Sequence, residues 1–165
     1  MTIWISGDFH LSHFNIIRYT NRPFHTVEEM NETIINNFNS EIGEYDQVIF
    51  LGDFCFGNPN QYLSRLRGNW TFIKGNHDHD RSLNTYISYL VLEYNNKEIF
   101  CIHRPDDYSS SYKYNFVAHV HDRWKVRKVY SSYLVNVGVD VWAFHPITID
   151  DTMKAIAEYD NNNKV

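Results

Sequence analysis

Trp70-Thr71-Phe72-Ile73-Lys74-Gly75-Asn76-His77-Asp78-His79-Asp80 is the stretch on which the reading of the chain turns. An apolar, strand-like run gives way at Gly75 to a turn with two histidines, an asparagine and two aspartates in five positions. A buried core turn has no use for so many polar groups, because each one taken out of water needs a partner. A solvated loop tolerates them, so the turn takes its meaning from its company. Asp8-Phe9-His10, Gly52-Asp53, Ile102-His103 and His119-Val120-His121 also follow apolar runs.

Working outward, Ile3-Trp4-Ile5 and Gln47-Val48-Ile49-Phe50-Leu51 read as buried strands that open into Ser6-Gly7-Asp8 and Gly52-Asp53. In an extended chain residues two apart point to one side, which would let Asp8 and His10, and likewise His119 and His121, converge on one ion. Thr26-Val27-Glu28-Glu29 has capping-box spacing. A helix follows whose stripe of Val27, Met30, Ile34, Phe38 and Ile42 faces the core while Glu28, Glu32 and Asn36 face water. Pro59 opens a short helix carrying Tyr62, Leu63 and Leu66, with Gly68 as its terminator. This β-loop-α-β order predicts mainly parallel pairing with right-handed connections.

Farther on, strands at 91–94 and 99–102 flank the hairpin turn Asn95-Asn96. Residues 106–114 give no periodic signal and read as a loop by the site entrance. Arg123, Lys125 and Arg127 alternate with Trp124 and Val126, then pair antiparallel with 133–139, leaving a basic, solvated face. Asp150 or Asp151 caps a final helix with Met153, Ile156 and Ala157 on its inner side, and 160–165 fray. With no repeat or linker, the chain reads as one domain over 1–159.

Composition narrows the function classes. No apolar run approaches the roughly 20 residues that span a membrane. The first six residues lack a basic, apolar and small-residue leader pattern and read as a strand, so a cytoplasmic protein is expected. Cys55 and Cys101 form no Cys-x-x-Cys pair, which argues against a disulfide scaffold or thiolate zinc site and for small buried apolar residues in a reducing compartment. A formal charge of −5 argues against stable duplex nucleic-acid binding. Nine histidines in 165 residues favour borderline transition metals.

The ordered set Asp8-x-His10, Gly52-Asp53, Gly75-Asn76-His77-Asp78, His103 and His119-x-His121 strongly resembles the calcineurin-like metallophosphoesterase superfamily. Asn15-Ile16-Ile17, Arg22-Pro23-Phe24 and Asn136-Val137-Gly138-Val139-Asp140 also look like its short bacterial and phage members. The resemblance implies an α/β fold (α+β by some schemes), a four-layer α/β/β/α sandwich with mixed sheets and the site at strand C-terminal ends. It implies one metal held by Asp8, His10, Asp53 and His121, and a second by the bridging Asp53 with Asn76, His103 and His119.

Such a pair suits a two-metal clamp about 3.5–4 Å across, with a bridging hydroxide attacking phosphorus in line. Two divalent ions are expected, manganese in vitro, with iron, nickel or zinc also compatible with these ligands. His77 is then the candidate to protonate the leaving oxygen, Asp78 the candidate to orient its ring, and His13 and Arg104 the candidates to touch substrate phosphate. The expected substrate is a phosphate-ester small molecule or nucleotide, diester or monoester. The competing reading is a catalytically silent interaction scaffold of the same fold, disfavoured because every ligand position is filled. Three departures stand out: Ala118 where the family usually has glycine, no second acid after Asp53 at the spacing of larger relatives, and Arg104-Pro105 directly after His103.

Overall fold

The computed structural model describes residues 1–78, 83 and 87–164. The hairpin-and-crossover reading resolves into two mixed sheets. In the first, β1 (Ile3–Ser6), β2 (Gln47–Phe50) and β3 (Asn69–Phe72) run parallel, and β9 (Ile147–Thr148) adds antiparallel to β1, giving the order β3-β2-β1-β9. The second contains β4 (Tyr89–Tyr94), β5 (Lys97–Ile102), β6 (Tyr114–Val117), β7 (Val126–Val129) and β8 (Ser132–Asn136) in the order β4-β5-β6-β8-β7. Its three inner strands are parallel and its two edge strands antiparallel. Asn95 and Asn96, both at positive φ, close the β4–β5 hairpin as their side chains allow.

Alternation along the first sheet divides its side chains between two cores. Ile3, Ile5, Ile49 and Leu51 face the second sheet and pack with Ile99, Cys101, Phe116, Tyr133 and Val135. Trp4, Val48, Phe50, Trp70 and Phe72 face the other way, against helices α1 (Phe14–Tyr19), α2 (Val27–Glu41) and α3 (Asn60–Leu63). The high aromatic content is spent here: Phe9, Phe38, Phe50, Phe54 and Trp70 meet with centroids 4.5–6.3 Å apart, edge-on or tilted except for the stacked Phe38 and Trp70. The last helix, α4 (Ile149–Asn162), touches β9 and β1 of one sheet and β7 and β8 of the other.

Four details of the helix ends differ from expectation. Thr26 caps α2 by accepting from the Glu29 amide, but the Glu29 carboxylate reaches past it to the His25 amide. The final helix is capped by Thr148, in a reciprocal box with Asp151, rather than by either aspartate, because the chain leaves β9 straight into the helix, two residues ahead of Asp150. That shift rotates α4, so Ile149, Thr152, Ala155 and Ile156 are buried and Ala157 is exposed. The helix does not fray at 160: Tyr133 donates its hydroxyl to the Asp160 carboxylate and helical structure continues to Asn162. Pro59 does open α3, but α3 ends at Leu63, ahead of Gly68.

At the opposite end of β1 from the polar loops, Asp46 accepts from the amides of Thr2 and Gly43 and from the Trp4 indole. The Thr2 amide foremost, with those of Gly43 and the indole, holds its carboxyl at about 2. A depressed folded value means the stabilisation is complete above the ordinary carboxylate range near about 4 and disappears as pH falls through about 2. Thermal scans of Asp46→Asn should therefore show a lower Tm than wild type at pH 7, with the gap closing across that acid window.

Candidate metal centre

Every polar loop singled out in the sequence leaves the C-terminal end of a strand on one side of the sandwich. Asp8 and His10 follow β1, Asp53 follows β2, Asn76 to Asp78 follow β3, His103 follows β5, and His119 and His121 follow β6. Between the site residues, apolar neighbours turn the opposite way: Phe9 and Phe54 are fully buried in the aromatic core. Amide bonds lace the first two loops together, Asp8 to the Gly52 carbonyl, His10 to the Asp53 carbonyl and Leu11 to the Phe54 carbonyl, each at 3.0 Å.

The mechanism of convergence is not the one expected from the sequence. Asp8 and His10, and His119 and His121, do not lie on extended chain; their φ values are 57°, 52°, 72° and 51°, and Asp53 adds a fifth at 60°. Non-glycine residues in the left-handed region cost roughly 1–2 kcal/mol each. The amide lacing and side-chain bonds to backbone hold them there.

Two ligand groups result: Asp8, His10 and His121, and Asp53, His103 and His119, with the ligand atoms inside each group within 4.8 Å of one another. Asp53 joins them. Its Oδ2 lies 3.4 Å from His10 Nε2 and 3.4 Å from His103 Nε2, while its Oδ1 accepts from the His77 amide. Asn76 Oδ1 sits 2.9 Å from His103 Nε2. The His103 ring is fixed from behind by its Nδ1, which donates to the Leu51 carbonyl at 2.6 Å and leaves Nε2 toward Asp53.

Asp8 Oδ1, Asp53 Oδ2 and both ring nitrogens of His10 are buried and have no hydrogen-bond partner among the described residues. Orphaned polar atoms at full burial are costly, and their clustering on two oxygens and an imidazole fits divalent cations.

Charge in the cluster is set by burial and by mutual contact. Burial pushes the Asp8 carboxyl up to about 6 against the pull of His121 and His103. It draws His10 down to about 2, leaving a neutral imidazole, the form that ligates. Burial also works against His103, yet the close contact and charge of Asp53, with the charge of Asp8, raise it to about 9. Asp53 in turn is held well below the carboxylate range: burial opposes ionisation, but the close contact and charge of His103 outweigh it. The volume between Asp53 and Asp8 is thus one that favours positive charge.

Asp78 is corrected. Its Oδ2 accepts from the Asp53 and Gly75 amides and its Oδ1 from the Phe54 amide, so it braces the two loops and is not bonded to the His77 ring. Three amides at one carboxylate leave little of it for a side chain. Gly75 must be glycine, since a Cβ would fall 2.2 Å from Asp53 Oδ1. Ala118 proves compatible with the turn: its methyl occupies space that Gly7 leaves open, where an added Cβ would come within 2.9 Å of it.

His77 is exposed, its ring 5.5 Å from that of His10. With His10, His13, His119, His121, Tyr19 and Arg123 it lines a cleft of ≈ 340 Å³. Arg104 is exposed in a neighbouring cleft of ≈ 260 Å³ that includes Asn76, His103 and Lys74. His79 and Asp80, to which no role was assigned, lie outside the described residues.

Sequence reasoning missed the buried pair Arg22 and Asp140. The Arg22 guanidinium donates to the Asp8 and Phe9 carbonyls, each at 2.7 Å, and to both oxygens of Asp140. Asp140 Oδ2 lies 3.2 Å from His121 Nδ1, orienting that ring from behind. The two residues are 118 positions apart, and only their place in the flanking text of the family hinted at them.

Among known proteins, the family model described as calcineurin-like phosphoesterase matches residues 1–156. The uncharacterized protein MJ1445 of Methanocaldococcus jannaschii is 36% identical, with 93% of this chain and 90% of that one aligned. Among solved structures, the protein of unknown function AQ665 from Aquifex aeolicus superposes with TM-score 0.74 at 22% identity, covering 93% of this chain and 98% of that one. Vps29 from Entamoeba histolytica complexed with zinc superposes with TM-score 0.51 at 18% identity, over 84% and 74% of the two chains.

Removing Arg22 should leave two carbonyls unpaired in the interior and Asp140 with only its contact to His121. Arg22→Met is expected to destabilise by about 3–5 kcal/mol in urea unfolding, and adding Asp140→Asn should recover part of that loss.

Proposed function

Because this chain belongs to the calcineurin-like phosphoesterases, we propose that it hydrolyses phosphate esters, diester or monoester, on a pair of divalent metal ions. The observation that carries the reading is Asp53 Oδ2, buried, without a hydrogen-bond partner among the described residues and equidistant at 3.4 Å from an imidazole of each ligand group. Such an oxygen is suited to bridging two cations. Asp8, His10 and His121 would hold one ion, and Asn76, His103 and His119 the other, with Asp53 shared. Bound there, the ions would supply Lewis-acid polarisation of the phosphoryl group and activation of water. Manganese, iron, nickel and zinc all suit this oxygen and imidazole set.

The chain's own groups do the rest. Arg22 and Asp140 hold His121, and Leu51 holds His103, so neither ring has to reorient when substrate binds. His77 is tied to Asp53 through its backbone while its ring remains in the open cleft. That position suits donation of a proton to the leaving oxygen. His13 borders the same cleft, and Arg104 borders the neighbouring one, where its cation would meet a phosphate oxygen or a second anionic group.

Protein reconstituted with Mn²⁺ should cleave bis(4-nitrophenyl) phosphate. Asp53→Asn should lower turnover by at least about 100-fold together with metal content, a larger loss than outer positions usually give; full activity in that variant would overturn the reading. His77→Ala should lower kcat by about 100-fold or more while metal content, followed by elemental analysis, stays at the wild-type level.

A further inference from the structure

Beside the metal centre, aromatic side chains are spread over the surface in a way the cores do not explain. Phe14, Tyr19 and Phe56 are 54%, 72% and 38% exposed, and none of them belongs to either hydrophobic cluster. Phe56 lies flat on the His13 ring at 4.0 Å and 22°, and its centroid is 5.7 Å from that of His77. Tyr19 meets the other side of the group, edge-on to His13 at 6.3 Å, and lines the cleft with His10 and His77. His13 Nδ1 is buried without a partner among the described residues.

A shelf of this kind, apolar in its faces and placed next to the residue assigned to the leaving group, has a definite chemistry. Exposed aromatic faces lose water readily to a planar ring and add the attraction between their quadrupoles. An aliphatic group of the same size gains only the burial.

We propose that Tyr19 and the His13–Phe56 stack form a subsite for a planar aromatic or heteroaromatic ring on the leaving arm of the phosphate ester, and so bias the enzyme toward aryl and nucleobase-bearing substrates. The inference rests on the phosphoesterase reading above, since it needs a phosphate at the metal centre to place the arm. It makes Tyr19 and Phe56 specificity residues, which act on the arm and not on the phosphorus.

The test compares two ligands of equal charge and nearly equal size, benzylphosphonate and cyclohexylmethylphosphonate, by calorimetric titration of the Mn²⁺-loaded full chain. Wild type should bind the benzyl compound roughly fivefold tighter. In Phe56→Leu and Tyr19→Ser, both surface changes, that ratio should fall toward one. A wild-type ratio near one, or a ratio that survives both substitutions, overturns the subsite. Equal binding of the two compounds with intact hydrolysis of bis(4-nitrophenyl) phosphate sinks the subsite alone. Failure of either compound to bind, with no hydrolysis, sinks the phosphoesterase reading and the subsite with it.

Discussion

One buried guanidinium sets the geometry on which the metal centre depends. Arg22 leaves the turn after α1 and reaches under the site, where it binds the carbonyls of Asp8 and Phe9 and both oxygens of Asp140. Three segments distant in sequence are thereby fixed to one planar group: the loop after β1, the turn between α1 and α2, and the loop after β8. Arginine suits the position because its fork bonds several acceptors at once and keeps its charge at any relevant pH. Through Asp140 the same group orients His121, so the registration of one ligand set is decided by a residue that touches no ligand atom of it.

Asp78 performs the matching service for the other set. By collecting the amides of Asp53, Phe54 and Gly75 it locks the loops after β2 and β3 together, and Gly75 allows them to approach until a methyl group would not fit. The carboxylates in these braces, Asp140 bonded to arginine and Asp78 bonded to backbone amides, both lie behind the ligands. Their arrangement accounts for how a short chain keeps two carboxylates and four imidazoles in one volume: the charges that would otherwise repel are held by neighbours with nowhere else to go.

The sequence made the strands, the α2 stripe and the seven candidate ligands legible, since each depends on local pattern: an apolar run, a helical period, an Asp or His directly after it. It did not reveal how the ligands turn inward. Alternation along an extended chain is the simplest way to aim Asp8 and His10 together, but the loop is built on left-handed residues, a conformation that depends on amide partners in other segments. Arg22, Asp140 and the bracing bonds of Asp78 were hidden for the same reason, as the bonds that tie them to other loops span 13 to 118 positions. The cap of α4 failed more simply, because Thr148 could be chosen over Asp150 only once β9 had fixed where the chain arrives.

The left-handed ligand residues carry an evolutionary consequence. Asp8, His10, Asp53, His119 and His121 occupy backbone that glycine adopts without strain and that other residues adopt only at a cost. A glycine arising at any of them would relieve local strain while deleting a candidate ligand, and at Asp8, His10 or Asp53 it would also remove a buried polar side chain. Drift under selection for folding alone would therefore erode this centre and leave the sandwich standing. Lineages that abandon the chemistry should keep the fold, and a chain in which all these positions remain occupied is one whose stability is held below what its scaffold allows.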